Sequence, residues 1–247
     1  MDVYLKHLDT KGGIRCFLVD GFQVRNKIDV EFTNGAHCFT RKYVPKDEVW
    51  VDSEANGANE IQLWMNHQVE ERRLMSEGMS YHGALKSASQ SERHARRAAP
   101  GFPELSAKEA RELARRNGEE WLTDQSPHSL GVSVWVVSGR VVRDHLYIDF
   151  TLGGHNRRYR FIPRDEIWID DAVVPAERPI ILMHEIRELG LMLNQDMSYE
   201  EAHKRASLLE KALRADWVSV SVPNKEIRRN VEMAAKVQKK KPANQRK

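Results

Sequence analysis

An internal repeat constrains the fold of this chain more than any other feature of its sequence. The segment Val44-Pro-Lys-Asp-Glu-Val-Trp-Val-Asp52 reappears as Ile162-Pro-Arg-Asp-Glu-Ile-Trp-Ile-Asp170, 118 positions later. Residues 28–33 match residues 146–151 at the same offset. Matches that keep a constant spacing over most of a chain are typical of a duplicated unit. We therefore expect two similar units in tandem.

The repeated unit is expected to be α+β, a small antiparallel sheet followed by an antiparallel helix pair. In the second copy, residues 133–137, 145–151, 158–162 and 166–169 are predicted as strands. The second of these alternates, with apolar residues at every other position from 146 to 150, which is typical of a half-buried strand. Ser138-Gly139 and Gly153-Gly154 are predicted as tight turns between strands.

Two amphipathic helices are predicted after each sheet. In the second copy, Pro179 suits the first turn of one helix, and Ser198 with Glu201 forms a capping box for the next. In the first copy, the corresponding helices are expected at about residues 60–75 and 80–93. The repeated tryptophans, Trp50 and Trp168, are expected to anchor the cores.

The predicted domain boundaries follow from the repeat. The units span residues 1–95 and 132–215, and a linker over 96–131 contains a charged helix that begins at Ser106 and docks through Leu113 and Trp121. Residues 216–247 are expected to form a short strand, a helix and a basic tail.

The chain's net charge of +3 is concentrated in that tail. Residues 236–247 contain six basic and no acidic side chains, so the remainder carries −3. A terminal charge run is usually solvated, and we expect at most weak contacts with nucleic acid. Two cysteines, no apolar run of about 20 residues and no signal-peptide pattern predict a cytoplasmic protein (the host cytoplasm if phage-encoded) without a membrane span.

The helix pair of the second unit carries side chains of the metal-ligand type. His184 and Glu188 are four residues apart and share a helix face, and His203 lies on the following helix. These three are predicted to bind a divalent metal, with Glu185 as the catalytic base. Glu210 and His155 are predicted to support the ligands. The alternative is structural: His184 and His203 form hydrogen bonds to Glu188 and Glu210 that tie the helices together.

The first unit differs from the second at two of these positions. His67, Glu71 and Glu92 correspond to His184, Glu188 and Glu210, whereas Gln68 replaces Glu185 and Leu85 replaces His203. Glutamine is not a base and leucine is not a metal ligand. We therefore expect any metal chemistry to occur in the second unit alone.

The sequence His184-Glu185-x-x-Glu188, on a helix after a sheet, resembles minimal zincin metallopeptidases. The resemblance implies that His184 and His203 are metal ligands, that Glu185 activates metal-bound water, and that zinc is the favoured metal. Glu188 occupies the position of the family's second histidine, and a carboxylate also suits harder ions. The surrounding sequence, including Tyr199-Glu-Glu-Ala-His203, also resembles an uncharacterised domain of bacteria and their phages.

Two functions are therefore compatible with the sequence. The first is a metal-dependent hydrolase, specifically a peptidase, that acts from the second unit on a protein or peptide substrate. The second is a non-enzymatic binding or structural protein of phage or mobile-element origin, in which the paired units present a surface to a protein partner. The sequence contains no phosphate-binding loop, dinucleotide-binding loop or Cys-x-x-Cys pair that would favour another chemistry.

Overall fold

A computed structural model describes residues 3–116, 118–120 and 132–217 of the 247-residue chain. Within these ranges the fold is α+β, with seven helices and two four-stranded mixed sheets. None of the helices described is both long and apolar enough to cross a bilayer.

The first half of the chain forms one sheet and a helix pair. The sheet and its short helix comprise β1 (Tyr4–Lys11), β2 (Ile14–Val19), α1 (Gly21–Lys27), β3 (Gly35–His37) and β4 (Glu48–Asp52). The pair comprises α2 (Ala58–Ser76) and α3 (Tyr81–Arg97). The helix α2 extends one or two residues beyond both predicted limits, whereas α3 begins one residue later and ends four residues later than predicted.

The second half begins with α4 (Ala107–Arg116) and repeats this order of elements. Its sheet and short helix comprise β5 (Glu119–Glu120), β6 (Ser133–Val137), α5 (Gly139–His145), β7 (Gly153–His155) and β8 (Glu166–Asp170). Its helix pair comprises α6 (Arg178–Asn194) and α7 (Tyr199–Trp217). The strand and helix expected after residue 217, and Trp121 in the linker, lie outside the described residues.

The two sheets have the same strand order, β1-β2-β4-β3 and β5-β6-β8-β7. They also share a register, because Arg15 lies opposite Glu48 and Ser133 lies opposite Glu166, each 118 positions further on. The prediction of antiparallel sheets was wrong: β2–β4 and β6–β8 are parallel pairs, and only the outer strands are antiparallel. A parallel pair needs a crossover, which α1 and α5 begin.

Two of the strands predicted in the second half are not strands. The strand predicted over residues 145–151 is instead the last residue of α5 followed by turns and irregular backbone, and residues 158–162 form turns. The predicted Ser138-Gly139 turn is wrong too, because Ser138 is the N-cap residue of α5 and Gly139 is its first residue. Alternation over so few residues does not distinguish a strand from a short helix followed by turns. Gly139 is needed here because a Cβ at this position would lie 2.2 Å from the carboxylate of Asp170. The predicted Gly153-Gly154 turn is also wrong, since these residues belong to β7.

One central strand of each sheet, β4 and β8, is buried on both faces. All five residues of β4 and all five of β8 are buried, as expected of parallel strands covered on two sides. Trp50 and Trp168 are both buried, and their indole nitrogens donate to Glu48 and Glu166.

Hydrogen bonds from capping side chains mark where α4 and α7 begin. The Ser198 hydroxyl accepts from the Glu201 amide at 3.3 Å, at the start of α7. Before α4, Ser106 and Glu109 exchange two hydrogen bonds between side chain and backbone, at 2.8 and 3.3 Å. Both capping boxes were predicted from the sequence. The box before α4 has both of its hydrogen bonds, whereas the box before α7 shows the bond to the Ser198 hydroxyl.

Buried arginines connect the two halves of the chain. Arg25 on α1 contacts Glu177, just before α6, at 2.6 Å, and its own half's Asp52 at 2.6 Å. Arg143 on α5 makes the corresponding contacts to Glu60 and Asp170, at 2.9 and 2.5 Å. Because both guanidinium groups are buried, removal of either partner would leave an uncompensated charge in the interior. These pairs therefore fix each short helix against the helix pair of the other half.

Candidate metal centre

Three ligand-type atoms converge between α6 and α7. The Nε2 of His184 lies 3.1 Å from the Nδ1 of His203 and 3.6 Å from the Oε2 of Glu188. The Nδ1 of His203 lies 2.7 Å from the same Glu188 oxygen. Residues 184 and 188 share a face of α6, and the antiparallel packing of α7 brings residue 203 to that face.

The spacing of these atoms fits a single metal ion. A circle through the three atoms has a radius of about 1.9 Å, which is shorter than the metal–ligand distance of about 2.0–2.2 Å for nitrogen and oxygen. A point therefore exists at bonding distance from all three atoms. An ion held by His184, His203 and Glu188 would have three protein ligands, and catalytic zinc sites with three protein ligands keep a further position for water or substrate.

The ring nitrogen of His184 and of His203 that faces away from Glu188 contacts a carboxylate in each case. His184 Nδ1 contacts Glu210 Oε2 at 2.7 Å, and Arg214 donates to the other oxygen of Glu210 at 2.6 and 2.8 Å. His203 Nε2 contacts Glu31 Oε2 at 3.1 Å, and the Ser207 hydroxyl donates to Glu31 Oε1 at 2.5 Å.

These contacts direct the lone pairs of both rings. If His184 Nδ1 and His203 Nε2 donate to Glu210 and Glu31, the neutral rings carry free lone pairs on His184 Nε2 and His203 Nδ1. Those are the two nitrogens that face Glu188. A carboxylate behind each histidine is the usual second layer of a metal site, because it fixes the tautomer and the ring orientation.

Protons compete for the same atoms when no metal is bound. Burial disfavours the charged form of His184, but hydrogen bonds to Glu188 and Glu210 outweigh this and raise its pKa to about 10. Hydrogen bonds to Glu188 and Glu31 raise the pKa of His203 to about 9. The three histidines around Glu188 hold the pKa of its carboxyl well below the usual range, despite burial. Metal binding must therefore release protons from the histidines.

Glu185 is a buried carboxylate in the same cavity. Burial and the neighbouring charge of Glu188 raise its pKa to about 7, against the opposing effect of the nearby histidines. A carboxyl group that titrates near neutral pH can accept a proton and release it again during a reaction. The cavity has a volume of about 240 Å³, and Glu185, His184, Glu188 and His203 all line it.

His155 lies beside Glu188 and is poorly suited to bind metal. Its ring is fully buried, and its Nδ1 accepts from the Arg157 amide at 3.2 Å. The proton of the neutral ring therefore resides on Nε2, which lies 2.8 Å from Glu188 Oε1. Although His155, Glu185 and Glu188 also form a compact group, a protonated Nε2 cannot be a ligand. This geometry favours one metal ion over two.

The first half of the chain contains the same framework without the ligand set. His67 Nδ1 contacts Glu92 at 2.8 Å, and His67 Nε2 contacts Glu71 at 3.3 Å. Leu85 stands where the second half has His203, and Gln68 stands where it has Glu185. Among the described residues, the first half brings no three ligand-type side chains close enough for a metal ion.

The structure brings together the side chains that the sequence singled out. The predicted ligands His184, Glu188 and His203 meet, and the predicted supporting residues Glu210 and His155 contact two of them. Sequence reasoning missed Glu31, Ser207 and Arg214. Glu31 could have been suspected because it corresponds to Asp149, another carboxylate, in the repeat. Its approach to the other half's helices depends on how the halves pack.

Comparison with protein-family models, with curated proteins and with solved structures finds no match to this chain.

Proposed function

We propose that the second half of the chain binds one divalent metal ion and acts as a metal-dependent hydrolase, specifically a peptidase. The ligands are His184 Nε2, His203 Nδ1 and Glu188 Oε2. The observation that carries this proposal is the triangle of 2.7, 3.1 and 3.6 Å formed by these atoms, which admits a common point at bonding distance.

The donor set favours zinc. Two imidazole nitrogens and one carboxylate oxygen, with a fourth position left for water, form a common catalytic zinc arrangement. The same donors also suit iron and manganese, so metal identity has to be measured. The zincin resemblance of His184-Glu185-x-x-Glu188 agrees with this choice, with Glu188 in place of a second histidine.

Glu185 is assigned the role of general base. A bound divalent metal lowers the pKa of a coordinated water molecule and polarises the scissile carbonyl group. With a metal held by His184, His203 and Glu188, Glu185 would accept one proton of the attacking water and would return it to the amide nitrogen as the carbon–nitrogen bond breaks. The products would be a carboxylic acid and an amine, which ionise to a carboxylate and an ammonium group.

We infer that the chain arose by tandem duplication and that its first half has no catalytic centre of its own. The shared strand order, the shared register and the paired arginine contacts support this inference. Leu85 and Gln68 remove one ligand and the base from the first half. That half instead contributes Glu31, which holds His203.

A specific observation also supports the non-enzymatic alternative. Without metal, Glu188 lies 2.7 Å from His203 and Glu210 lies 2.7 Å from His184, contacts that tie α6 to α7 as ion pairs. The first half has such a pair in His67 and Glu92, with no ligand set. In this alternative the chain is a structural or binding protein, and the paired halves form a surface for a protein partner.

A peptide-cleavage assay on the metal-loaded protein distinguishes the hydrolase from the non-enzymatic binding protein. A library of fluorogenic peptides is incubated with the wild type and with Glu185→Gln, which keeps all three ligands. The proposal expects cleavage by the wild type and a loss of about 10²- to 10⁴-fold in Glu185→Gln with metal content retained. Equal cleavage by both proteins, or none by a protein that contains metal, would favour the binding function.

A further inference from the structure

Arg214 lies behind the candidate metal centre and contacts three separate elements of the fold. It donates to Glu210 Oε1, on its own helix α7, at 2.6 and 2.8 Å. It donates to Glu177 Oε1, just before α6, at 2.5 Å, and to Asn26 Oδ1, on α1 of the first half, at 2.9 Å. The side chain is buried. Because a guanidinium group is planar and all three of its nitrogens are bonded, these partners fix its orientation.

Glu210 connects this arginine to a metal ligand. Its Oε2 contacts His184 Nδ1 at 2.7 Å, while Arg214 donates to its Oε1. The carboxylate therefore cannot rotate away from either partner without the loss of a charged contact. A carboxylate behind a histidine ligand sets the orientation of the ring. The direction of the His184 Nε2 lone pair thus depends on Arg214 through Glu210.

A short segment of the first half reaches both histidine ligands from behind. Asn26, in the last turn of α1, accepts a hydrogen bond from Arg214. Glu31, five residues later, contacts His203 Nε2 at 3.1 Å. The docking of this segment against α7 therefore acts on His203 directly and on His184 through two intervening side chains.

The first half contains an equivalent arginine that supports no ligand set. Arg96 donates to Glu92 Oε1 at 2.6 and 2.9 Å, and to Asp144 Oδ1, on α5 of the other half, at 2.8 Å. Glu92 contacts His67 Nδ1 at 2.8 Å. Leu85, however, takes the place of the second histidine ligand. If such an arginine only stabilises the fold, its replacement should have the same consequences in both halves.

We propose that Arg214 is a positioning residue of the metal centre, and that its bond to Asn26 couples metal binding to the docking of α1 on α7. The proposal rests on the proposed metal centre but requires no hydrolytic activity. Coupling between two such events is reciprocal. A metal ion that binds His184 and His203 in this arrangement therefore also strengthens the contact of α1 with α7.

The first test compares the zinc affinities of full-length Arg214→Lys and Arg96→Lys by competition with a chromogenic chelator. Lysine keeps the positive charge but cannot bond to three partners in one plane. Arg214→Lys should bind zinc about 10- to 100-fold more weakly than the wild type, as is common when a carboxylate behind a histidine ligand loses its orientation. Arg96→Lys should bind zinc as the wild type does. Urea denaturation should show similar losses of stability in both variants.

A second pair of variants tests the contribution of α1 and leaves both arginines in place. Asn26→Ala removes one hydrogen bond to Arg214, and we expect zinc affinity to fall about three- to tenfold. Asp144→Ala removes the corresponding bond to Arg96, together with its charge. This control should leave zinc affinity unchanged, although it removes an ion pair. Both altered side chains are partly exposed, so the variants should fold.

Hydrogen exchange of the wild type tests the reciprocal effect without any variant. Addition of zinc to chelator-treated protein should slow the exchange of backbone amides in α1, residues 21–27. It should slow them more than those of α5, residues 139–145, which contact the half without a ligand set. In Asn26→Ala the slowing in α1 should be reduced.

The possible failures have different meanings. A wild type that binds no zinc would refute the metal centre and the coupling with it. If the wild type binds zinc, equal affinity in Arg214→Lys would refute the coupling alone. An equal loss of affinity in Arg96→Lys, or equal slowing of exchange in α1 and α5, would also overturn the coupling and leave the metal centre standing.

Discussion

His203 and Glu31 are 172 residues apart in the chain, and a 3.1 Å contact joins His203 Nε2 to Glu31 Oε2. The hydrogen bond lowers the pKa of Glu31 to about 2, since it and the Ser207 hydroxyl outweigh the effect of burial. The candidate metal centre of the second half is therefore completed by a carboxylate from the first half.

Glu31→Ala should weaken metal binding while it leaves all three ligands in place. Loss of a carboxylate behind a histidine ligand commonly reduces metal affinity by about 10- to 100-fold, because the ring loses its orientation and its preferred tautomer. Asp149→Ala alters the corresponding residue of the other half and should leave the affinity unchanged. Competition with a chromogenic chelator measures both. Equal affinities in the two variants would refute the role of Glu31.

A metal site should be restorable in the first half. Leu85→His combined with Gln68→Glu places a second histidine beside His67 and Glu71, with Asp149 in the position of Glu31. We expect the metal content to rise from about one to about two equivalents per chain, since the framework matches that of the second half. Leu85→Gln with Gln68→Glu is the control without the new ligand. Unchanged content in the histidine variant would argue against functional equivalence of the halves.

Arg214→Met should destabilise the protein strongly. Arg214 contacts Glu210 at 2.6 Å and Glu177 at 2.5 Å, and all three side chains are buried. Removal of one partner from a buried ion pair costs about 3–5 kcal/mol, because the remaining charges are left uncompensated.

Arg205→Met provides the matched comparison. Arg205 pairs with Glu201 on the exposed face of the same helix, at 2.8 Å. An exposed pair of this kind contributes at most about 1 kcal/mol. Urea denaturation of both variants measures the difference, and similar losses of stability would contradict the importance of the buried network.

Stability should depend on pH through His67. Burial favours the neutral ring, but hydrogen bonds to Glu71 and Glu92 outweigh it and raise the pKa of His67 to about 9. Because the pKa is raised on folding, the stabilisation is complete below the unfolded value of about 6.5 and is lost as the pH rises through 9. Its size is on the order of 3 kcal/mol.

The variant His67→Gln isolates this contribution. The difference in unfolding free energy between the wild type and the variant should be largest near pH 6 and should shrink by pH 10. Denaturant titrations at these two pH values measure it. A difference that stays constant between them would show that His67 is not charged in the folded protein.

The sequence was sufficient to predict the two helix pairs and to single out the side chains that meet between α6 and α7, because their signals are local. Residues 184 and 188 share a helix face by spacing alone, and Ser198 marks where the next helix begins. Their meeting with His203 follows from the antiparallel packing of two adjacent helices.

The strand pairing and the supporting residues Glu31, Ser207 and Arg214 could not be derived in this way. The parallel pairing of β6 with β8 depends on a crossover that local alternation does not reveal. The approach of Glu31 to His203, and of Arg25 to Glu177, depends on how the two halves pack. Contacts between distant parts of a chain leave no periodic signal, and here only the correspondence of Glu31 with Asp149 hinted at one of them.

Metal content tests the central claim most directly. The full chain is purified without chelators or a histidine tag and analysed for zinc, iron and manganese, beside His203→Leu, which copies the residue found in the first half. The account predicts about one equivalent of metal in the wild type and less than about a tenth of this in the variant, because a three-ligand site loses one ligand. No metal in the wild type after incubation with each ion, or equal content in both proteins, would contradict it.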